Sequence, residues 1–416
     1  MKNVLKWLGR MLTVLVVLLV MVGLFIEFSW ERQDSRPAPQ MSVLRDSATV
    51  ARGEYIFKHA WQCWGCHAAS GDGNAPPSGG RVFDLRSVGP GFGVYYSKNL
   101  TPDSATGLGA WTDGEIVQAI REGIRRDRHV LFPLMPVDWL KGLSDQDVLA
   151  VVAYIRSLPP VSNQVPEREV SFMAKALMAF NVIKPIAPIT APVVAPHPGR
   201  TAEYGKYVAS NMAGCADCHS PRNLQNGEFY PDSLFAGGNI PFGKDEGDPI
   251  YVFARNIRPD PETGIGGWTE EDFLQAVTTG MRPDSTVLIP HMPYAYYKFL
   301  SEDDLRAMYA YLRSLPPLRR TAPPLGFSPE MVNAQGASRG ALLFRARCRG
   351  CHGDEGAGAV PTNVKLAEVA SSMEDADLRD FIASGQMNLK MPAFGKTLTA
   401  EELADIVAYL RSWQAR

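Results

Sequence analysis

Cys63-Trp64-Gly65-Cys66-His67 decides how the rest of the chain is read. It recurs as Cys215-Ala216-Asp217-Cys218-His219 and as Cys348-Arg349-Gly350-Cys351-His352, and the three copies use all six cysteines. C-x-x-C-H is the haem-attachment pattern of c-type cytochromes. Its two thiols can each bond one vinyl group, and the histidine that follows can lie under the iron. A sixth ligand is then needed, and methionine in that position raises the reduction potential. Downstream of the motifs stand Met135-Pro136, Met292-Pro293 and Met391-Pro392. The expected cofactors are therefore three covalently bound haem c. They would be attached at Cys63, Cys66, Cys215, Cys218, Cys348 and Cys351, with iron ligands His67 and Met135, His219 and Met292, and His352 and Met391.

The competing readings of such cysteines fit less well. A zinc site wants four ligands, and each motif supplies two cysteines and one histidine with no second cluster beside it. A disulfide framework does not require a histidine after every second cysteine. A redox dithiol usually sits in a βαβ context, which the pattern does not show. His291, next to Met292, leaves a bis-histidine second site open, and His129 is a lesser alternative near Met135.

Around the motifs the chain repeats itself. Asn256, Trp268 and Met292 lie 157 positions after Asn99, Trp111 and Met135. Thr112 with Glu115 and Thr269 with Asp272 predict helix caps, as do Ser144 with Asp147 and Ser301 with Asp304. Ala153-Tyr154-Ile155-Arg156-Ser157-Leu158-Pro159-Pro160 returns as Ala310-Tyr311-Leu312-Arg313-Ser314-Leu315-Pro316-Pro317. The third motif is followed by only 39 positions before Met391, against 68 and 73 for the other two pairs. It lacks the Asn…Trp segment, but ends in a helix opened by Thr399 and Glu402 and carrying Ala408-Tyr409-Leu410-Arg411-Ser412. The predicted fold is mostly α: three tandem cytochrome c domains after an amino-terminal transmembrane helix. The predicted domains are 51–160, 201–317 and 337–416, preceded by a tether at 33–50 and joined by a proline-rich linker at 161–200 and a shorter one at 318–336. The apolar Phe172–Phe180 stretch is expected either to pack on a haem domain or to touch a partner or the bilayer. Trp61, Trp64, Trp111 and Trp268 read as packing against the cofactors, with an electron-relay role as the sharper alternative. Met173, Met178 and Met281 read as core, and His59 and His197 as surface or locally bonded.

Residues 1–32 differ from everything after them. Lys2, Lys6 and Arg10 precede an apolar run from Met11 to Ile26, and Trp7 and Trp30 bracket it as aromatic residues do at bilayer interfaces. No A-x-A site follows, so a retained signal-anchor is expected in place of a cleaved signal peptide. The basic end would stay cytoplasmic, with the remainder in the bacterial periplasm. No second anchor is expected at the carboxyl end. A net charge of −2 points to no nucleic-acid partner.

Electron transfer requires no acid, base or nucleophile, and every recognisable motif is taken up by haem. A proximal histidine usually donates its second ring proton to a carbonyl. Pro76 or Pro77, and Pro361, are the expected acceptors in the first and third domains.

The chain resembles the triheme cytochrome c subunits of bacterial membrane-bound periplasmic dehydrogenases, which serve alcohol, aldehyde, gluconate and fructose oxidation. The resemblance covers nearly everything after residue 50. It rests on the three C-x-x-C-H motifs, on Asn99-Leu100-Thr101-Pro102-Asp103 and Asn256-Ile257-Arg258-Pro259-Asp260, on Gly107-Leu108-Gly109 and Gly264-Ile265-Gly266, and on Ser220-Pro221-Arg222 after the second motif. It implies a non-catalytic electron-transfer subunit. Its partner would be a catalytic subunit bearing flavin, pyrroloquinoline quinone or molybdopterin, and its acceptor ubiquinone or a terminal oxidase. A free-standing membrane-bound shuttle to an oxidase or reductase is the alternative. The chain departs from the family in its retained anchor, where many members have a cleaved signal, and in its compact third unit.

Overall fold

The same helix crossing builds the chain three times. An opening helix runs into each C-x-x-C-H motif, and a closing helix lies across it: Ser47–Tyr55 on Asp145–Ser157, Ala202–Tyr207 on Glu302–Ser314, and Gly336–Arg347 on Ala400–Ser412. The computed structural model describes the chain except residues 1, 32, 72, 74, 87–90, 184–185, 225, 243–249, 290, 325, 328, 354–355, 357–364, 387–390 and 414–416.

Each crossing closes on a glycine. A Cβ on Gly53 would stand 1.8 Å from Ala150 O, on Gly205 1.8 Å from Ala307 O, and on Gly340 1.9 Å from Asp405 O. In every case the next obstacle is the Cβ of the tyrosine in the repeated Ala-Tyr-[Ile/Leu]-Arg-Ser segment: Tyr154, Tyr311 or Tyr409, at 2.9 Å. Only a residue without a side chain lets the two backbones meet. The arginine two positions after that tyrosine caps carbonyls of the preceding segment. Arg156 donates to Leu108 O and Trp111 O, Arg313 to Ile265 O and Gly266 O, and Arg411 to Ala370 O and Met373 O.

The crossings differ in how the cysteines are reached. From Gly53 to Cys63 and from Gly205 to Cys215 is ten residues, and from Gly340 to Cys348 only eight. The first two chains take up the surplus as one π-turn, Ile56–Ala60 and Val208–Met212, each followed by a left-handed residue, Gln62 or Gly214. The third continues as a regular α-helix to Arg347. The predicted caps form: Thr112 with Glu115, Thr269 with Asp272 and Thr399 with Glu402 are full capping boxes, and Ser144 and Ser301 accept from Asp147 N and Asp304 N.

The stretches expected to be connectors are folded. Residues 33–50 are no free tether. Asp34 N donates to Arg128 O at 2.8 Å, Pro39 packs over Gly114, and the first helix already starts at Ser47 with Asp46 as its cap. Within 161–200, Glu169–Val170 adds the third strand to an antiparallel sheet with Val82–Asp84 and Gly93–Tyr96. Within 318–336, Gly326–Phe327 does the same for Pro241–Phe242 and Ile250–Phe253. Proline-rich sequence concealed these strands because each is only two residues long.

The first two crossings share one hydrophobic core, running from Ile56 and Phe57 through Val151 to Val208, Met212 and Leu312. The third has its own core around Leu343, Phe344 and Ile406, joined by Ile250, Val287 and Ile289 of the second. A reciprocal pair of tyrosines ties the first two together. Tyr55 OH donates to Asp304 Oδ2 at 2.5 Å and accepts from Ser301 N, while Tyr207 OH donates to Asp147 Oδ2 at 2.5 Å and accepts from Ser144 N. Each tyrosine thus caps the other half's closing helix, and burial beside a carboxylate pushes both phenols well above their usual range.

The helix Lys2–Ser29 is long and apolar enough to cross a membrane, and its side chains from Val4 to Phe25 are largely exposed. Its carboxyl end packs against the short helix Phe172–Ala179.

Gly205→Ala should destabilise the second crossing by about 1–3 kcal/mol, the usual cost of overpacking, read as a lowered midpoint of chemical unfolding. An unchanged midpoint would mean that the helices can slide apart and that the close approach is not required.

Candidate haem-binding sites

Each motif forms one short helical turn after the opening helix: Cys63–His67, Cys215–His219 and Arg349–His352. Burial pushes the Cys63, Cys215 and Cys348 thiols up to about 12. A reactive dithiol needs the opposite, a thiol whose environment favours the thiolate. Among the described residues, no group of three or more His, Cys, Asp and Glu side chains is arranged to hold a bare metal ion. Paired thiols, half-buried except for the exposed Cys66, followed by an imidazole and with a methionine supplied from elsewhere, suit a porphyrin-borne iron.

The imidazoles are set for ligation. His67 Nδ1 lies 2.8 Å from Lys98 O, and His219 Nδ1 lies 2.7 Å from Arg255 O. A proton on Nδ1 that is given to a carbonyl leaves the Nε2 lone pair for a metal. Burial lowers the pKa of both rings, which favours the neutral, ligating form. A second clamp holds the histidine backbone, with Gly79 N donating to His67 O and Gly237 N to His219 O.

The acceptors are not the prolines expected. Pro77 O takes the Leu100 N–H and Pro76 O the Ser78 N–H, so both carbonyls are engaged in holding the loop. Lys98 and Arg255 immediately precede the repeated Asn99 and Asn256, and those asparagines explain the arrangement. Asn99 is buried, and its Nδ2 donates to Val161 O at 2.8 Å and Thr106 Oγ1 at 3.1 Å, while its Oδ1 accepts from Thr101 N at 2.9 Å. Asn256 repeats this with Leu318 O, Thr263 Oγ1 and Arg258 N. Asp103 and Asp260 accept from Thr106 and Thr263 and brace the same loop. The Asn…Pro-Asp segment therefore fixes the carbonyl that orients the imidazole. Its invariant repeat offset was the signal that could have revealed this. In the third unit Pro361 lies outside the described residues, and among those described His352 Nδ1 has no partner.

Two of the methionines share one support. Val137 N donates to Met135 O at 2.7 Å and Tyr294 N to Met292 O at 2.8 Å, with Pro136 at φ −76, ψ 55 and Pro293 at φ −81, ψ 46. These are inverse γ-turns, which proline's fixed φ favours. Met391 is held differently, in a two-way backbone bridge with Gln386. Of the other sequence candidates, His129 lies 3.3 Å from Asp127 and pairs through its backbone with Gln33. His59 is packed against the rings of Tyr55 and Phe299, and His197 is exposed. Met178 is buried, but Met173 points outward and is no core residue.

The residues after Met292 join all three motifs. Tyr296 packs on Trp64 at 4.5 Å between ring centroids. Tyr297 OH donates to Ala213 O, two residues before Cys215. Tyr294 is buried and lines one cavity with Cys351, and burial raises its phenol far above the usual value. A cavity of about 280 Å³ lies where they meet, lined among others by Trp64, His291, Met292, Tyr294, Tyr296 and Cys351. Trp139, at the position matching Tyr296 in the first half, stacks edge-on with Phe229 and accepts through its carbonyl from Asn211, just before the second motif. Trp111 and Trp268 pack against the shared core.

The family model for cytochrome c matches residues 50–159. The model for cytochrome C oxidase, cbb3-type, subunit III matches residues 335–410. The chain is thus a protein with c-type cytochrome domains. Over most of its length it is similar to cytochrome c subunits of dehydrogenases. It is 29% identical to the cytochrome c subunit of alcohol dehydrogenase (quinone) from Gluconacetobacter polyoxogenes, covering 88% of this chain and 81% of that one. It is 28% identical to the fructose dehydrogenase cytochrome subunit of Gluconobacter japonicus, covering 91% and 82%. It is 27% identical to the gluconate 2-dehydrogenase cytochrome c subunit of Pantoea cypripedii, covering 88% and 86%. All three relatives are named as cytochrome subunits of dehydrogenases, and the chain fits a cytochrome c subunit of that kind.

Asn99→Ala would leave Thr101 N without its buried acceptor and take from Val161 O one of its two donors, the other being Thr101 Oγ1. It should lower the stability of the first half by about 2–3 kcal/mol, since buried groups left unpaired lose their full desolvation energy, measured by chemical unfolding. Wild-type stability would show that the loop holds without it.

Proposed function

We propose that this chain is a membrane-anchored triheme cytochrome c that takes electrons from the catalytic subunit of a periplasmic dehydrogenase and delivers them to ubiquinone or a terminal oxidase. The observation that carries this reading is the convergence of all three C-x-x-C-H motifs on the segment from Met292 to Tyr297. Three attachment motifs that meet at one aromatic junction fit a single route through the chain. Similarity to the cytochrome subunits of alcohol, fructose and gluconate dehydrogenases supports the dehydrogenase partner.

In this reading the domains are 51–160, 201–317 and 337–416, with Lys2–Ser29 retained as anchor and the haem domains in the periplasm. Haem c supplies a one-electron Fe(III)/Fe(II) couple. The chain's part is to hold it. Cys63 and Cys66, Cys215 and Cys218, and Cys348 and Cys351 would form the thioethers. His67, His219 and His352 would be proximal ligands, and Met135, Met292 and Met391 distal ones. The Lys98 and Arg255 carbonyls raise imidazole basicity through the Nδ1 hydrogen bond. The Met-Pro turns keep the thioether positions fixed between oxidation states, so that little rearranges during transfer.

Pyridine haemochrome analysis should give three haems per chain, falling to two when Cys215 and Cys218 are both replaced by Ala; two haems in the unmodified chain would refute the count. Met391→Ala should lower one midpoint potential and leave the others in place. Three unchanged potentials would remove Met391 from the ligand set. Mild detergent extraction should bring down a catalytic subunit whose substrate reduces the haems. A triheme chain that emerges alone would favour a free-standing shuttle.

A further inference from the structure

The helix Phe172–Ala179 departs from an ordinary surface helix in where it sits and in what it leaves uncovered. It packs on the last turns of Lys2–Ser29, where Lys175 meets Glu27 and Phe180 meets Phe25, while Ala174 and Met178 are buried. Its basic residue and a neighbour grip the end of the long helix. Lys175 Nζ lies 2.6 Å from Glu27 and Arg168 2.9 Å from Glu31, and both cations also stand 5.2 Å from the centre of the Trp30 ring. Beside this contact lies an apolar, uncovered surface: Phe172 is 59% exposed and Met173 43%, and Phe180, at the edge that meets the long helix, 55%. Met173 and Phe180 are seven residues apart and so share one face of the helical path.

The depth of this face follows from a single contact. Phe180 meets Phe25 at 5.6 Å between ring centroids. Phe25 belongs to the apolar run, five residues before Trp30. At 1.5 Å per residue it stands about 7 Å on the bilayer side of that tryptophan. An interfacial amphipathic helix buries its apolar face about 5–10 Å into the boundary between headgroups and acyl chains. Lys175 and Arg168 lie on the other side of the same level, with their charges turned back toward Glu27 and Glu31, as basic side chains do near an interface.

We infer that Phe172–Phe180 is a second membrane contact, an interfacial helix whose Phe172, Met173 and Phe180 side chains enter the bilayer beside the anchor. This rests on the reading of Lys2–Ser29 as a retained anchor. A lone spanning helix leaves the domain above it free to swivel and tilt. Two contacts that are locked to each other by two ion pairs fix its tilt, and the same grip explains why the long helix is bound to the folded domain.

The test uses the haem-loaded full chain in phosphatidylethanolamine/phosphatidylglycerol vesicles. Met173→Cys, Phe180→Cys and Leu224→Cys variants each carry a nitroxide, Leu224 being an exposed apolar residue of the second half. Collision rates with oxygen and with a water-soluble nickel chelate report depth. The labels at 173 and 180 should give an oxygen-to-nickel ratio several-fold above that at 224. Equal ratios at all three positions in a chain that resists alkaline carbonate extraction would overturn the interfacial helix and leave the anchor standing. Release by carbonate would overturn both.

Discussion

Backbone contact between an opening and a closing helix, made through Gly53, Gly205 and Gly340, is the constraint from which the rest of the structure is hung. It brings the tyrosine and arginine of the closing helix to fixed places, and the arginine then caps the segment that leads toward the methionine. It also sets the exit of the opening helix, and hence the direction in which the cysteines are presented. A side chain at any of these glycines would force the backbones apart, and the motif would lose its relation to the closing helix. The π-turns in the first two units show how strictly this is kept. Two additional residues are absorbed locally, leaving the crossing unchanged.

Much of this was legible because it is periodic. Three C-x-x-C-H motifs, a common offset of 157 from Asn99 to Asn256 and from Trp111 to Trp268, and paired caps at Thr112 and Thr269 are one-dimensional signals that local physics turns directly into helices and turns. What stayed hidden was contact between distant residues. Nothing near His67 in the chain identifies Lys98 as its acceptor, because that carbonyl is placed by Asn99, whose own partner is Val161. The prolines at 76 and 77 were nearer in sequence, but their carbonyls hold the loop through Ser78 N and Leu100 N, and the imidazole lies against Lys98 O. Strands of two residues, such as Glu169–Val170, give no alternation to read, so proline content alone marked them as spacer.

The pairing of the first two units was equally invisible, although its residues repeat. Tyr55 and Tyr207 occupy matching positions, and so do Asp147 and Asp304, but the bonds run crosswise, from each half to the other. Such an exchange makes an approximate two-fold relation within one chain, with a common core in place of two. The third unit, shorter and lacking the asparagine loop, stands outside that symmetry and meets the pair through Ile250, Val287 and Ile289.

The strands contributed by 161–200 and 318–336 have a consequence for how charge can move. Both segments add a strand to the sheet of the unit they leave, so each stays bound to that unit before it goes on to the next. Carriers built from beads on flexible string deliver electrons by swinging one bead after another to its target, and their rate is set by diffusion of the bead. Here the first two units share one hydrophobic core, and Ile250, Val287 and Ile289 of the second join the core of the third. In the proposed function, transfer between the three sites would then depend on distance and driving force, and only the first and last steps, at the donor and the acceptor, would wait on an encounter.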